Sequence, residues 1–150
     1  MSANERLPAM GGAVVIDAVD DLVREVHLRR GSGPEEDTAK SALAADLRRY
    51  FAGEHVDFSR YRVDLSRYTE FERAVLQETR RIPYGQTRTY GEVAKAIGRP
   101  AAARAVGLAL GKNRTCILIP CHRVVATNGL GGFSGGIRWK EDLLALEGAR

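Results

Sequence analysis

Two short segments near the start of the chain have the pattern of β-strands. The segments AVVIDAV (13–19) and LVREVHL (22–28) combine β-branched residues with an alternation of apolar and polar positions. Only Asp20 and Asp21 separate them, and aspartate is common in tight turns. The pattern therefore predicts two strands joined by a short turn, as in an antiparallel sheet.

An amphipathic helix is predicted to follow these strands. The segment GSGPEED (31–37) has the composition of a loop. Within 38–53 the apolar side chains recur every four residues, at Leu43, Leu47 and Phe51, and Gly53 then ends the pattern. We therefore expect residues 1–66 to form a small α/β domain with an antiparallel sheet.

The remainder of the chain, 67–150, has a helical pattern with clear start signals. Two Thr-x-x-Glu capping boxes each predict the first turn of a helix: Thr69–Glu72 and Thr89–Glu92. The first helix is expected to reach about Arg80, and a turn at 83–85 separates it from the second. The apolar residues expected to face inward are Phe71 and Val75 in the first helix and Val93 and Ile97 in the second.

A third helix is predicted over AAARAVGLAL (101–110), with Pro100 at its start and Gly111 beyond its end. Only Gly98, Arg99 and Pro100 separate it from the second helix. Two short helices joined by a tight turn are typical of a helix-turn-helix, and the alternative is an ordinary αα-hairpin. Residues 67–150 are thus predicted to form a mainly helical C-terminal domain that contains a helix-turn-helix.

The charge distribution favours a nucleic-acid partner for this second domain. The whole chain carries a net charge of +4, but residues 1–66 sum to −3 and residues 67–150 to +7. Residues 80–123 contain nine Lys or Arg and a single acidic residue, Glu92. A stretch with so large an excess of positive charge attracts a polyanion such as nucleic acid. The alternative is a charged surface that only keeps the protein in solution. The chain shows neither a signal peptide nor an apolar run long enough to cross a membrane, so a cytoplasmic protein is expected.

The segment ILIPCHRVV (117–125) is the candidate for chemistry. A cysteine is nucleophilic as its thiolate, and a neighbouring imidazole or guanidinium lowers its pKa, so Cys121 beside His122 and Arg123 is a candidate nucleophile. Adjacent residues of an extended segment point to opposite faces, so His122 needs a bridging water or a turn to act on Cys121. A buried structural thiol is an equal alternative. The second cysteine, Cys116, and the histidines lack zinc-finger spacing, so neither a metal nor a cofactor is expected.

These residues, in this order, resemble the O6-alkylguanine-DNA alkyltransferase family. The resemblance rests on IPCHRVV (119–125), on Asn113 and the RAVG helix before it, and on GGFSGG (131–136) and a glutamate after it. It covers about residues 67–150, and residues 1–66 resemble the variable N-terminal domain of that family only in outline. The resemblance implies direct repair of O6-alkylguanine in duplex DNA, with O4-alkylthymine as a second candidate substrate.

The resemblance also implies roles for individual residues. Cys121 matches the alkyl acceptor, His122 the histidine that takes its proton through a water, and Glu147 the acid that orients that histidine. Tyr90 matches the tyrosine beside the flipped base, and Asn113 the asparagine that links the recognition helix to the active-site turn. Taken alone, each of the last three has a simpler alternative: Glu147 on a solvated helix, Tyr90 in the core, Asn113 as a helix cap.

Further matches concern DNA and the base pocket. Arg104 matches an arginine finger that fills the gap left by the flipped base, and the small residues Ala102 and Ala103 beside it permit close approach to the minor groove. The remaining matches belong to the pocket: the main-chain carbonyls of Val124 and Cys121, the aromatic ring of Phe133, the backbone N–H of Ser134, and Lys140 near the active-site loop.

The implied reaction is irreversible and stoichiometric, since a thioether on Cys121 is not hydrolysed. A monomer in solution is expected, with cooperative binding along DNA left open. Two alternatives compete with repair: a non-catalytic lesion sensor, against which the intact Cys121 argues, and a helix-turn-helix regulator with a structural or redox-sensing cysteine. One departure stands out, since Arg114–Thr115–Cys116 stands where some members carry prolines that shape the alkyl pocket, which predicts a wider pocket or a different tolerance of bulky groups.

Overall fold

The computed structural model describes residues 2–31, 37, 39–133 and 135–149 of the chain. The chain forms two compact units. The sheet unit comprises Met1–Asp64 together with Arg114–Leu118, and the helical unit comprises Leu65–Asn113 together with Ile119–Arg150. The functional division predicted between residues 1–66 and 67–150 stays a prediction.

The sheet unit is built on three antiparallel strands, β1 (Ser2–Ala9), β2 (Gly12–Val19) and β3 (Leu22–Arg30). A two-residue strand, β4 (Arg62–Val63), pairs in parallel with β3 at the edge of the sheet. The strands β2 and β3 confirm the predicted pair. Strand β1 was missed because Pro8 and several polar residues weaken its pattern, although Leu7 and Ala9 are buried.

Two further contacts shape the sheet unit. The backbone N–H of Val26 donates to Arg114 O at 2.8 Å, and the N–H of Cys116 donates to Val26 O at 3.1 Å, which ties residues 114–118 to β3.

At the β1–β2 turn, Gly11 has φ +75°, a left-handed conformation that favours glycine. The predicted loop at 31–37 falls largely outside the described residues.

Helix α1 (Ala42–Phe51) confirms the predicted helix but starts later than the pattern indicates. It begins there because the Ser41 hydroxyl accepts a hydrogen bond from the N–H of Ala44. Its buried stripe contains Leu43, Leu47 and Tyr50, whereas Phe51 is only half-buried. The four-residue spacing had selected Phe51, but the helix period of 3.6 residues places Tyr50 in the core.

The helical unit contains four helices and a small parallel strand pair in the part of the chain that the structure describes. The helices are α2 (Glu70–Arg80), α3 (Tyr90–Ala96), α4 (Ala103–Leu110) and α5 (Ile137–Leu146), and the strands are β5 (Arg88–Thr89) and β6 (Val124–Val125). Both predicted capping boxes are present, at Thr69–Glu72 and Thr89–Glu92. Helix α4 begins at Ala103, so Pro100 lies in the connection before it and not in its first turn.

The core of the helical unit takes side chains from α5, which contacts the 121–123 turn, and from the other helices. Its large, fully buried side chains include Trp139, Leu143 and Leu144 of α5 and Leu76 of α2. Helices α3 and α4 contact each other and α2. The predicted fold class, an N-terminal antiparallel sheet followed by a mainly helical part, is confirmed, while the helix-turn-helix assignment of α3 and α4 stays a prediction. Within the described residues, every helix is too short or too polar to span a membrane.

Candidate active site

The candidate nucleophile lies in a single turn of 3₁₀-helix. Residues Cys121–Arg123 form this turn between Pro120 and β6, and the N–H of Arg123 donates to Pro120 O at 2.9 Å. Because the chain turns here, successive side chains do not alternate between two faces as they do in a strand. The structure thus supplies the turn that His122 was predicted to need.

His122 is fully buried and is held by Glu147 at the end of α5. Its Nε2 lies 2.7 Å from Glu147 Oε2, and its Nδ1 has no hydrogen-bond partner among the described residues. Burial lowers the pKa of His122, and this effect exceeds the opposite effect of the Glu147 carboxylate. A neutral imidazole whose Nε2–H donates to a carboxylate carries its lone pair on Nδ1, so we assign that tautomer from the hydrogen bond.

Glu147 remains ionised although its side chain is buried. Burial alone would raise its pKa, but hydrogen bonds from His122 and Arg123 outweigh burial and hold the pKa far below its ordinary value. Arg123 binds both carboxylate oxygens, from Nε to Oε1 at 2.8 Å and from Nη2 to Oε2 at 3.0 Å. Its Nη1 also donates to Ile82 O at 2.7 Å.

Sequence reasoning missed this role of Arg123. It treated the residue only as a positive charge near Cys121, because nothing local links Arg123 to a glutamate 24 residues away. The pairing of His122 and Arg123 with one distant acid becomes visible only in the folded chain. The structure therefore adds Arg123 to the residues around the candidate site.

The predicted turn at 83–85 also supports Glu147. Gly85 has φ +77°, and a Cβ at this position would lie 3.2 Å from Glu147 O, so a glycine is needed for both reasons. The Tyr84 hydroxyl lies 3.3 Å from Leu146 O, and the Tyr84 ring lies 5.7 Å from the guanidinium carbon of Arg123. The end of α5 is thereby fixed beside the 121–123 turn.

A cavity of about 560 Å³ opens above Cys121, and it lies entirely within the helical unit. Its lining is largely apolar and comes from the start of α3, one face of α4, the 121–123 turn and the loop before α5: Tyr90, Ala103, Arg104, Gly107, Leu108, Leu110, Gly111, Cys121, Gly132 and Phe133. Five predicted site residues therefore surround one cavity, namely Tyr90, Ala103, Arg104, Cys121 and Phe133. Ala102 lies just before α4, and the predicted residue Ser134 lies outside the described residues.

Tyr90 is the first residue of α3 and closes one side of this cavity. Its hydroxyl accepts a hydrogen bond from the backbone N–H of Gly132, and burial raises its pKa so that it stays protonated. A Cβ on Gly131, which has φ +74°, would lie 2.3 Å from the Tyr90 hydroxyl oxygen. The loop can approach the ring this closely only because glycine occupies position 131.

Lys140 and Asn113 hold the backbone around the cavity. Lys140 is fully buried, and its Nζ donates to Val124 O at 2.7 Å and to Gly132 O at 2.9 Å. Asn113 is buried beyond the end of α4, and its Nδ2 donates to Ile119 O at 2.9 Å, two residues before Cys121. Both side chains thus connect elements that shape the cavity.

Within the described ranges, no group of three or more His, Cys, Asp or Glu is arranged to hold a metal ion. The expectation that neither a metal nor a cofactor takes part stays a prediction. Arg104 is exposed on α4 at the rim of the cavity, as a side chain that reaches DNA would have to be. The arrangement offers a thiol, a buried base and a largely apolar cavity of ligand size.

Comparisons with known proteins agree on one family. Residues 70–149 match the model described as the DNA-binding domain of 6-O-methylguanine DNA methyltransferase. A methylated-DNA–protein-cysteine methyltransferase from Mycolicibacterium paratuberculosis is 49% identical over 114 residues, which cover 75% of this chain and 68% of that protein. A similar protein from Methanosarcina acetivorans is 51% identical over 105 residues, or 69% of this chain and 65% of that protein.

Solved structures resemble the whole chain. The Mycobacterium tuberculosis O6-methylguanine methyltransferase has a TM-score of 0.84 and 38% identity, over 100% of this chain and 94% of that one. The Mycobacterium tuberculosis protein OGT in complex with DNA has a TM-score of 0.86 and 37% identity, over 97% of this chain and 92% of that one.

Proposed function

Because this chain belongs to the 6-O-methylguanine DNA methyltransferase family, we propose that Cys121 takes the alkyl group from O6-alkylguanine in duplex DNA and keeps it. The chain is a DNA-repair methyltransferase that acts on alkylated guanine. The finer proposal is that transfer is direct, irreversible and stoichiometric, with one alkyl group accepted by each molecule. The proposal also includes a cytoplasmic protein. It includes a monomer, because one thiol and one cavity suffice for the reaction.

The proposed step is a displacement at a saturated carbon. The Cys121 thiolate attacks the carbon attached to O6, the S–C bond forms as the C–O6 bond breaks, and the electron pair of that bond passes to the guanine. A proton from Tyr90 then neutralises the departing base, which is why a tyrosine that stays protonated fits this position. The product is a thioether, which water does not cleave, so turnover ends after one event.

The observation that carries this proposal is the buried Nδ1 of His122. His122 directly follows Cys121 in the chain, and Glu147 holds its imidazole through a contact of 2.7 Å between Oε2 and Nε2. An imidazole so oriented can accept the thiol proton through a water, which generates the thiolate where the alkyl carbon arrives. Glu147 stabilises the imidazolium that forms.

Base recognition is proposed to use backbone groups at the cavity. The carbonyls of Val124 and Cys121 accept from the exocyclic amine of guanine, and the N–H of Ser134 faces O6. Val124 O already accepts from Lys140, and the exocyclic amine would share this oxygen, since a carbonyl oxygen accepts two hydrogen bonds. Phe133 packs against the flipped base. The same contacts leave O4-alkylthymine as a second substrate to be tested.

DNA binding is proposed to use α4. The target atom lies within the base stack, so the nucleotide must be flipped out, at a cost of a few kcal/mol. Arg104, which is exposed at the cavity rim, would fill the gap, while the small side chains of Ala102 and Ala103 allow α4 to approach the minor groove. Asn113 would link the end of this helix to the active-site turn.

Mass spectrometry of the Cys121 peptide after reaction with duplex DNA tests the proposal. With O6-methylguanine in the duplex, we expect a gain of one methylene on that peptide, at one equivalent per protein molecule, and none in Cys121→Ala. Tight binding to the lesion without modification would instead indicate a lesion sensor. Equal binding to damaged and undamaged DNA without transfer would indicate a helix-turn-helix regulator.

A further inference from the structure

Arg123 takes no part in the steps above, yet its guanidinium is buried against the residues that perform them. It donates two hydrogen bonds to Glu147 and a third to Ile82 O, and it lies over the ring of Tyr84. Only 10% of its side chain is exposed. A buried cation is costly unless its charge is paired, so this geometry ties Arg123 to the charge of Glu147.

Arg123 offsets the charge of Glu147 beside His122. Glu147 is negative, Arg123 and Lys140 are positive and His122 is neutral, so the four side chains together carry one net positive charge. The groups that face His122 are Cys121 and Arg123 of its own turn, Glu147 after α5 and Lys140 within α5. A proton on His122 would therefore add to an existing positive charge in the buried interior, and both Arg123 and Lys140 oppose it.

Removing the guanidinium weakens this opposition. Glu147 would then lose the cation that binds both of its oxygens, the net charge of the remaining side chains would fall to zero, and the carboxylate would stabilise a proton on His122. That proton would sit on His122 Nδ1, the nitrogen needed for the Cys121 thiol. The reactive state holds one proton between Cys121 and His122, so the additional proton must leave before transfer.

We propose that Arg123 is a positioning residue that neutralises Glu147, so that His122 stays unprotonated at Nδ1 and accepts the proton of the Cys121 thiol. This inference rests on the proposed function, in which Cys121 is the alkyl acceptor. The proton moves from the Cys121 Sγ through water to Nδ1, and the electron pair left on sulfur forms the bond to the alkyl carbon. Arg123 itself neither gains nor loses a proton.

The test measures single-turnover alkylation of the full-length chain by free O6-benzylguanine between pH 5 and 9. The free base removes DNA binding from the measurement. In Arg123→Met we expect the acidic limb of the rate profile to move to higher pH by at least about one unit, so that the rate below it falls about tenfold. Arg123→Lys should restore most of the wild-type profile because it returns the charge.

Nitrogen-15 NMR of His122 gives a second readout that a merely structural role would not move. We expect an unprotonated Nδ1 in the wild type from pH 5.5 to 8 and a protonated Nδ1 in Arg123→Met at pH 7. The double variant Arg123→Met/Glu147→Gln removes both charges and should return Nδ1 to the unprotonated form. Thermal melts of each variant establish which are folded.

Several results would overturn the inference. A uniformly slower Arg123→Met with an unshifted pH profile and an unchanged Nδ1 signal would reduce Arg123 to a structural role. Wild-type Nδ1 protonation near pH 6.5 would also overturn it, even if Arg123→Met does not fold. Failure of the proposed function itself looks different, since the wild type would then leave Cys121 unmodified, or His122→Ala would react as fast as the wild type.

Discussion

Two buried carboxylates, one in each unit, have similar partners and different consequences. In the sheet unit, Asp46 of α1 accepts hydrogen bonds from Arg60, from Arg49 at 3.2 Å and from the Tyr61 hydroxyl at 2.5 Å. In the helical unit, Glu147 accepts from Arg123 and His122. Both acids are buried and have a lowered pKa, because their hydrogen bonds outweigh the effect of burial.

The partners of the two acids differ in exposure and in what lies beyond them. The side chains of Arg49 and Arg60 are 54% and 63% exposed, whereas His122 is fully buried. The polar groups around Asp46 end at solvent. Those around Glu147 end at His122, whose neighbour in the chain, Cys121, lines the cavity. A buried ion pair is therefore no sign of chemistry by itself, and the group to which it is connected decides its role.

The comparison is sharpened most by removing the nucleophile. Cys121→Ser should lower alkyl transfer by at least about 10³-fold, because a serine hydroxyl at this site remains protonated where a thiol can ionise. Single-turnover transfer from duplex O6-methylguanine measures this. Cys116→Ser is the matched control and should transfer at the wild-type rate. Alkylation of another residue in Cys121→Ser would break the assignment of the acceptor.

The two carboxylates can be exchanged for amides in parallel. Glu147→Gln should slow transfer about 100-fold, since an amide cannot stabilise the imidazolium of His122 as a carboxylate does. Asp46→Asn should leave the transfer rate within about twofold of the wild type, because the side-chain partners described for Asp46 (Arg49, Arg60 and Tyr61) all belong to the sheet unit. If both variants lost the same share of the transfer rate in this single-turnover assay, the proposed difference between Glu147 and Asp46 would be wrong.

A smaller effect on the rate of alkyl transfer, which depends on the substrate, is expected from Arg104, which is not among the partners of Asp46 or Glu147. Arg104→Ala should slow transfer from duplex DNA about tenfold, because the gap left by the flipped base is no longer filled. Transfer from free O6-benzylguanine should not change. The ratio of the two rates is the measurement, and Arg99→Ala, before α4, serves as a control. If Arg104→Ala slowed transfer from both substrates equally, Arg104 would not act by filling the gap left by the flipped base.

The smallest expected effect on alkyl transfer is that of Asp46→Asn, which should instead change the stability of the folded chain and its dependence on pH. A carboxylate whose pKa is lowered on folding stabilises the protein above its unfolded pKa of about 4, and this contribution is lost as pH falls below that value. Asp46→Asn should lower the free energy of unfolding at pH 7 by about 1–3 kcal/mol and weaken its dependence on pH below 5. Denaturant unfolding at pH 7 and pH 4 measures both. An unchanged pH dependence would mean that Asp46 is not ionised in the folded chain.

The sequence predicted what local patterns determine. Each capping box joins residues three positions apart, and β2 and β3 are adjacent strands joined by a two-residue turn, so their signals lie within short windows. The start of α4 was placed too early because Pro100 suits a first turn equally well as a connection.

Long-range contacts carried no such local signal. The bonds of Arg123 to Glu147 and to Ile82 join residues 24 and 41 positions apart, and their backbone and side-chain geometry arises only on folding. The resemblance to a family pointed to Cys121, His122 and Glu147 as a group. It gave no reason to include Arg123.

The shared carboxylate of Glu147 also has an evolutionary consequence. Two consecutive residues, His122 and Arg123, bind the same carboxylate. Inserting or deleting one residue between Cys121 and Val124 would rotate one of these side chains away from its partner. We therefore expect related chains to keep the length of this turn, so that natural insertions accumulate in other loops.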